Sequence, residues 1–83
     1  MTVIKPNLFC VVKRFPGHKK LIFEIFKKNS NFQAICDDYR QCSEALARWK
    51  QSASEEAPAR KKEYSDLLQE LELEILQILN EIN

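Results

Sequence analysis

A chain of 83 residues with a formal net charge of +1 makes one domain, near the size where a single core is only marginally sufficient and metals, disulfides or oligomerisation add support. Cys10, Cys36 and Cys42 are an odd number of thiols in a sequence that opens without a secretory signal pattern, which argues for reduced cysteines in a cytoplasm and against a disulfide framework. They are too dispersed for the paired spacing of a zinc site, His18 is the lone histidine, and no apolar run approaches the ~20 residues of a membrane span.

Charge is unevenly placed. Lys5, Lys13, Arg14, Lys19, Lys20, Lys27 and Lys28 face only Glu24 in the first third, whereas Glu63, Asp66, Glu70, Glu72, Glu74 and Glu81 outnumber Arg60, Lys61 and Lys62 toward the other end. Such asymmetry points to complementary packing between chains or to an anionic partner for the basic end.

From Met1 to Lys5 there is no periodicity, as in a frayed start. Pro6 or Asn7 then opens a short helix whose Leu8, Val11, Val12 and Phe15 share a face. Phe15-Pro16-Gly17 ends it, because proline disfavours helical geometry at the preceding residue and glycine adds flexibility; Pro16 also suits the first turn of a new helix. From Lys19 to Lys28, Leu21, Ile22, Ile25 and Phe26 form a broad apolar face, with Phe23 apart from it. Asn29-Ser30-Asn31 is the next punctuation, and Ser30 with Gln33 fits the S-x-x-Q capping box, which starts a long helix near Ser30. A single helix kinked at this point is the competing reading.

The long helix carries Phe32, Ile35, Tyr39, Cys42, Leu46 and Trp49, stepping by alternate threes and fours. Gln51 to Pro58 is a polar connection of the length found between antiparallel neighbours. A second long helix starts between Ser54 and Pro58, with Glu55 and Glu56 suited to the positive end of its dipole. Its stripe is Tyr64, Leu68, Leu71, Ile75, Ile78 and Ile82, and Leu67, Leu76 and Leu79 widen that stripe beyond what one opposing helix covers. Leu73 lies off the arc.

The series Phe15-Pro16-Gly17-His18-Lys19, then Ile22, Phe32 and Tyr39, and finally Glu74-Ile75 followed by Leu79, resembles the YdcH-like family of short bacterial proteins. That pattern has an F-P-x-[HY]-K start, an H-F pair, an E-Y pair, a polar loop opening with Ser and a D-E-I-like close. The resemblance covers nearly the whole chain from about Leu8. Asn31 stands where the family often has His, and Asp38 where it has Glu. The resemblance implies a small α-helical bacterial protein of unassigned biochemical function and supplies no catalytic residues.

The candidate chemical groups favour packing over reaction. As a general acid–base His18 needs a fixed nucleophile or carboxylate beside it, and no spacing compels one. Cys42 falls on the apolar stripe with Cys36 beside it, where a free thiol behaves as a small hydrophobe. Asp37 and Asp38, adjacent on a helix, diverge and do not converge on a metal. Tyr39 and Trp49 lie on the stripe as core or subunit interface. Lys13, Lys20 and Lys27 recur every seven residues, yet Pro16-Gly17 interrupts the line, and no nucleic-acid-binding pattern accompanies it.

The sequence therefore reads as all-α: an antiparallel hairpin of two long helices (residues 30–51 and 56–82) with short N-terminal helices (residues 1–28), joined into an oligomeric bundle. The expected interface is Trp49, Tyr64, Leu67, Leu68, Leu71, Ile75, Leu76, Ile78, Leu79 and Ile82. The expected role is a non-enzymatic interaction or scaffold module of a bacterial cytoplasm, self-associating and without cofactor or metal. The alternative is a nucleic-acid-associated regulator that binds anions through Lys13, Arg14, Lys19, Lys20, Lys27 and Lys28, and an enzyme ranks third.

Overall fold

The computed structural model describes residues 5–82, the side chain of Ile82 excepted. The expectation of a frayed start from Met1 falls outside those residues except at Lys5. Lys5 is ordered as the residue before the first helix: its backbone is extended and its carbonyl accepts the Phe9 N–H at 3.0 Å.

The described residues form helices and their connections only: α1 (Pro6–Arg14), one 3₁₀ turn (Pro16–His18), α2 (Lys19–Lys28), α3 (Ser30–Lys50) and α4 (Ala57–Ile82). Each boundary has a local cause. Pro6 occupies the first turn of α1, where its missing N–H is no loss. Phe15 precedes Pro16 and takes φ −124°, ψ 65°, outside the helical region. Proline alone accounts for this break, since Gly17 has no positive φ and open space where a Cβ would stand.

Between α2 and α3 the chain breaks rather than kinks. Asn29 is extended (φ −124°, ψ 105°), and its side-chain oxygen accepts the Phe32 N–H at 3.0 Å. The cap is therefore Asn29 and not Ser30, which is already the first helical residue. Gln33 correspondingly reaches back to the Phe26 carbonyl instead of closing a box on Ser30. Asparagine wins the position because its carbonyl reaches the N–H three residues ahead from an extended backbone.

The turn into α4 is a serine device. Ser52 Oγ accepts the Ser54 N–H at 3.1 Å and Ser54 Oγ accepts the Glu56 N–H at 3.2 Å. The Glu56 carbonyl then takes the Arg60 N–H at 3.0 Å, so Pro58 sits inside the first turn of α4, not in the connection.

All four helices pack around one core. It joins Leu8, Val11 and Phe15 with Ile22, Ile25 and Phe26, Phe32, Cys36 and Tyr39, and Ile75 and Leu79. At 26 residues α4 is about 39 Å long, which sets the longest dimension of a molecule measuring 43 × 30 × 22 Å. Asn31 and Ile35 of α3 border one groove with Glu74, Gln77, Ile78 and Glu81 of α4, while Gln41, Ala45 and Arg48 lie beside Tyr64.

The buried stripes are rotated from those the spacing predicts. In α4 the enclosed residues beyond Ala57 at its start are Ile75 and Leu79, whereas Leu71 and Ile78 are half-buried; in α3 Cys36 is fully enclosed and Ile35 and Cys42 are half-buried. The cause is a third neighbour. With α1 and α2 contributing to the same core, the seam shifts toward their side, and Cys36, read as a packing thiol beside the stripe, lies at the centre of the core in place of Cys42.

Candidate functional site

The largest polar constellation joins three helices. Arg14 ends α1, Tyr39 lies midway along α3, and Glu72 lies midway along α4. Arg14 Nε donates to Glu72 Oε2 at 3.0 Å and Nη2 donates to Oε1 at 3.3 Å, a two-pronged pair. The Tyr39 hydroxyl donates to the same Glu72 Oε2 at 2.7 Å. The Arg14 guanidinium also stands 5.2 Å from the centre of the Phe15 ring, within cation–π range.

The electrostatics follow from that geometry. Partial burial opposes charging Glu72, but the Arg14 and Tyr39 hydrogen bonds and the Arg14 charge outweigh it, holding the carboxyl below its usual range. Burial, reinforced by the bond to Glu72, pushes the Tyr39 phenol well above its ordinary value and keeps it a donor. Arg14 is stabilised in its charged form, chiefly by the hydrogen bond to Glu72. The cluster thus works as a clasp in fixed protonation states, and none of its members is poised for proton transfer near neutrality.

A folded-state pKa below the reference value of 4.5 means that Glu72 adds stability in full above that pH and loses it as pH falls through the folded value. The raised phenol of Tyr39 adds stability in full below its reference value of 10 and loses it at more alkaline pH. Acid titration followed by circular dichroism should therefore show a loss of stability below about pH 4.5 that is reduced in Glu72→Gln. Tyr39→Phe should cost about 1.5–3 kcal/mol at pH 7, the worth of one hydrogen bond to a charged group. Identical acid limbs in the wild type and Glu72→Gln would remove this account of the clasp.

Two of the thiols, Cys36 and Cys42, are tuned away from reactivity. Burial pushes Cys36 up to about 12, with Cys10 adding to the effect, and raises Cys42 with help from Asp38. Cys10 is half-buried, its Sγ 4.0 Å from Ser43 Oγ.

The basic residues are not one stripe. Lys13 and Arg14 belong to α1, the rest to α2, and the 3₁₀ turn separates them. Arg14 is engaged with Glu72, and Lys27 lies 3.7 Å from Glu24. Lys13, Lys19, Lys20 and Lys28 are exposed and form no ion pair among the described residues.

The residues expected at an interface divide into three groups. Ile75 and Leu79 are enclosed within the chain's own core, so part of the breadth of the α4 arc serves that core and not a partner. Trp49, Tyr64, Leu68, Leu71, Leu76 and Ile78 are half-buried, and Leu67 is exposed. The side chain of Ile82 lies outside the described residues. Two further apolar residues are exposed that the stripe did not include, Phe9 on α1 and Leu73 on α4.

One side of the α3–α4 seam is an open groove. Asp38, Gln41 and Cys42 line it with Leu67, Glu70, Leu71 and Glu74, and it continues past Glu74 to Ile35, Ile78 and Glu81.

The sequence signal for the clasp was present in the spacing. Leu68, Glu72, Ile75 and Leu79 step by four, three and four, which places a glutamate inside an apolar line. A carboxylate there needs a partner, and the tyrosine and arginine supply it. No family model, no curated protein and no solved structure matches this chain.

Proposed function

We propose that the chain is a non-enzymatic helical interaction module that self-associates, built on an antiparallel α3–α4 hairpin with α1 and α2 closing its core, and that it belongs with the YdcH-like proteins of the bacterial cytoplasm. The observation that carries this reading is the apolar surface left on α4 and α1. Leu67, Leu73 and Phe9 are 39%, 66% and 53% exposed, while Leu68, Leu71, Leu76 and Ile78 are only half-buried. Leu67, Leu71 and Ile78 share one side of α4, and a contiguous apolar strip of that kind favours a partner. The raised Cys36 thiol and the locked clasp support a structural use of groups that catalysis would otherwise recruit.

Sedimentation at micromolar concentration tests the reading. The wild type should populate a species larger than the monomer, and Leu67→Asp combined with Leu73→Asp should shift it to the monomer with unchanged helical signal. A wild type that stays monomeric throughout the micromolar range refutes self-association.

A further inference from the structure

We propose that the groove between α3 and α4, rimmed by Asp38, Glu70, Glu74 and Glu81, receives helix α2 of a second copy of this chain. This rests on the self-association reading and names the surfaces that carry it. The groove combines an apolar floor with an acidic rim: Ile35, Leu71 and Ile78 are half-buried, Leu67 is exposed, and all four carboxylates are exposed. None of the four is in an ion pair among the described residues.

The acidic groups are strung along the groove rather than gathered. No group of three His, Cys, Asp or Glu side chains among the described residues could hold a metal ion, and Glu70 and Glu81 stand about 16 Å apart along the helix. A row of separated charges over an apolar floor suits an extended, basic and amphipathic partner, not a small cation.

Helix α2 has that chemistry. Lys20 and Lys28 lie on its outer face about 12 Å apart along the axis, both exposed and without an ion pair among the described residues; Glu24 lies between them but is paired with Lys27, so the face stays basic, with half-buried Leu21 and Phe23 on its flanks. Its inner face is already committed, since Ile22, Ile25 and Phe26 are in the core. With 10 residues α2 is about 15 Å long, the reach of the groove from Asn31 to Gln41. Placing Lys20 and Lys28 among the free carboxylates of a partner brings opposite charges together over joined apolar surface.

Groove and α2 are different patches, so each contact is unlike on its two sides. Two copies can exchange α2 helices reciprocally, or the contact can repeat into an open chain.

Charge reversal tests this. Glu70→Lys with Glu74→Lys in one protein, and Lys20→Glu with Lys28→Glu in another, alter exposed side chains and should leave the helical signal intact. Each alone should self-associate at least about tenfold more weakly than the wild type at low salt, and an equimolar mixture should regain association through the swapped charges. Association unchanged in both variants, or a mixture no better than its components, overturns the pairing of groove and α2, while self-association through exposed apolar residues outside the groove, Leu73 and Phe9, stands. Wild-type protein that is monomeric at every concentration overturns both. Capture of an unrelated basic helical peptide by the groove, with α2 charges irrelevant, also overturns the assignment to a second copy.

Discussion

Ile75→Asp is expected to leave the chain without a cooperative fold. Ile75 is fully enclosed, 0% exposed, among residues of the shared core. A carboxylate at that point meets no donor, and an unpaired buried charge costs several kcal/mol, beyond the roughly 1.5–3 kcal/mol of apolar burial lost. A chain of 83 residues has about 4–12 kcal/mol of stability in total, so these losses consume most or all of it. Two residues earlier, Leu73→Asp sits on exposed surface and should shift monomer stability by no more than about 0.5 kcal/mol. Thermal unfolding followed at the helical band compares the two. If Ile75→Asp kept a cooperative transition near that of the wild type, the residue would belong to a subunit contact and not to the core.

Phe32→Ala carries the next largest effect, a loss of about 3–5 kcal/mol. Phe32 is 0% exposed and lies where α3 begins, with its backbone N–H held by the Asn29 side chain. The cavity would open at the start of α3 within the shared core, where close packing allows only partial relaxation. Urea unfolding should show a lower midpoint with a similar slope, as for a stability loss that leaves the unfolded state alone. Phe9→Ala, on an exposed aromatic, is the matched control. A midpoint for Phe32→Ala equal to that of the control would contradict the packing described.

The helical class and the approximate bounds of all the helices were legible in the sequence, because proline, asparagine and serine mark breaks by local chemistry. Phe15-Pro16 and the polar run after Lys50 act within a few residues of themselves. The rotation of the buried stripes was not legible. Spacing tells which residues share a face, whereas the centre of the buried face depends on how many helices lie against it, and α1 and α2 enter the core from far along the chain. Cys36 and Cys42 illustrate this: both read as packing thiols, with Cys42 on the stripe and Cys36 beside it, yet Cys36 is the fully enclosed one and Cys42 is half-buried.

The clasp lay between these cases. Glu72 is visible as a charge within the line Leu68, Ile75 and Leu79, so the need for a partner could be read. Its partners could not be, since Tyr39 sat on an apolar stripe and Arg14 among other basic residues. Choosing Arg14 over Lys13 depends on the direction in which α1 leaves its final turn, which only the assembled core fixes.

The same clasp ties the beginning of the described chain to its last helix. Tyr39 and Glu72 are 33 residues apart in the chain, and Arg14 and Glu72 are 58 apart. Helix α1 packs chiefly on α3, and through Arg14 it also holds the carboxylate of α4. An opening that lifts α1 from α3 therefore also strips Glu72 of its arginine. Detachment of the first helix and loosening of the last become one local event rather than two.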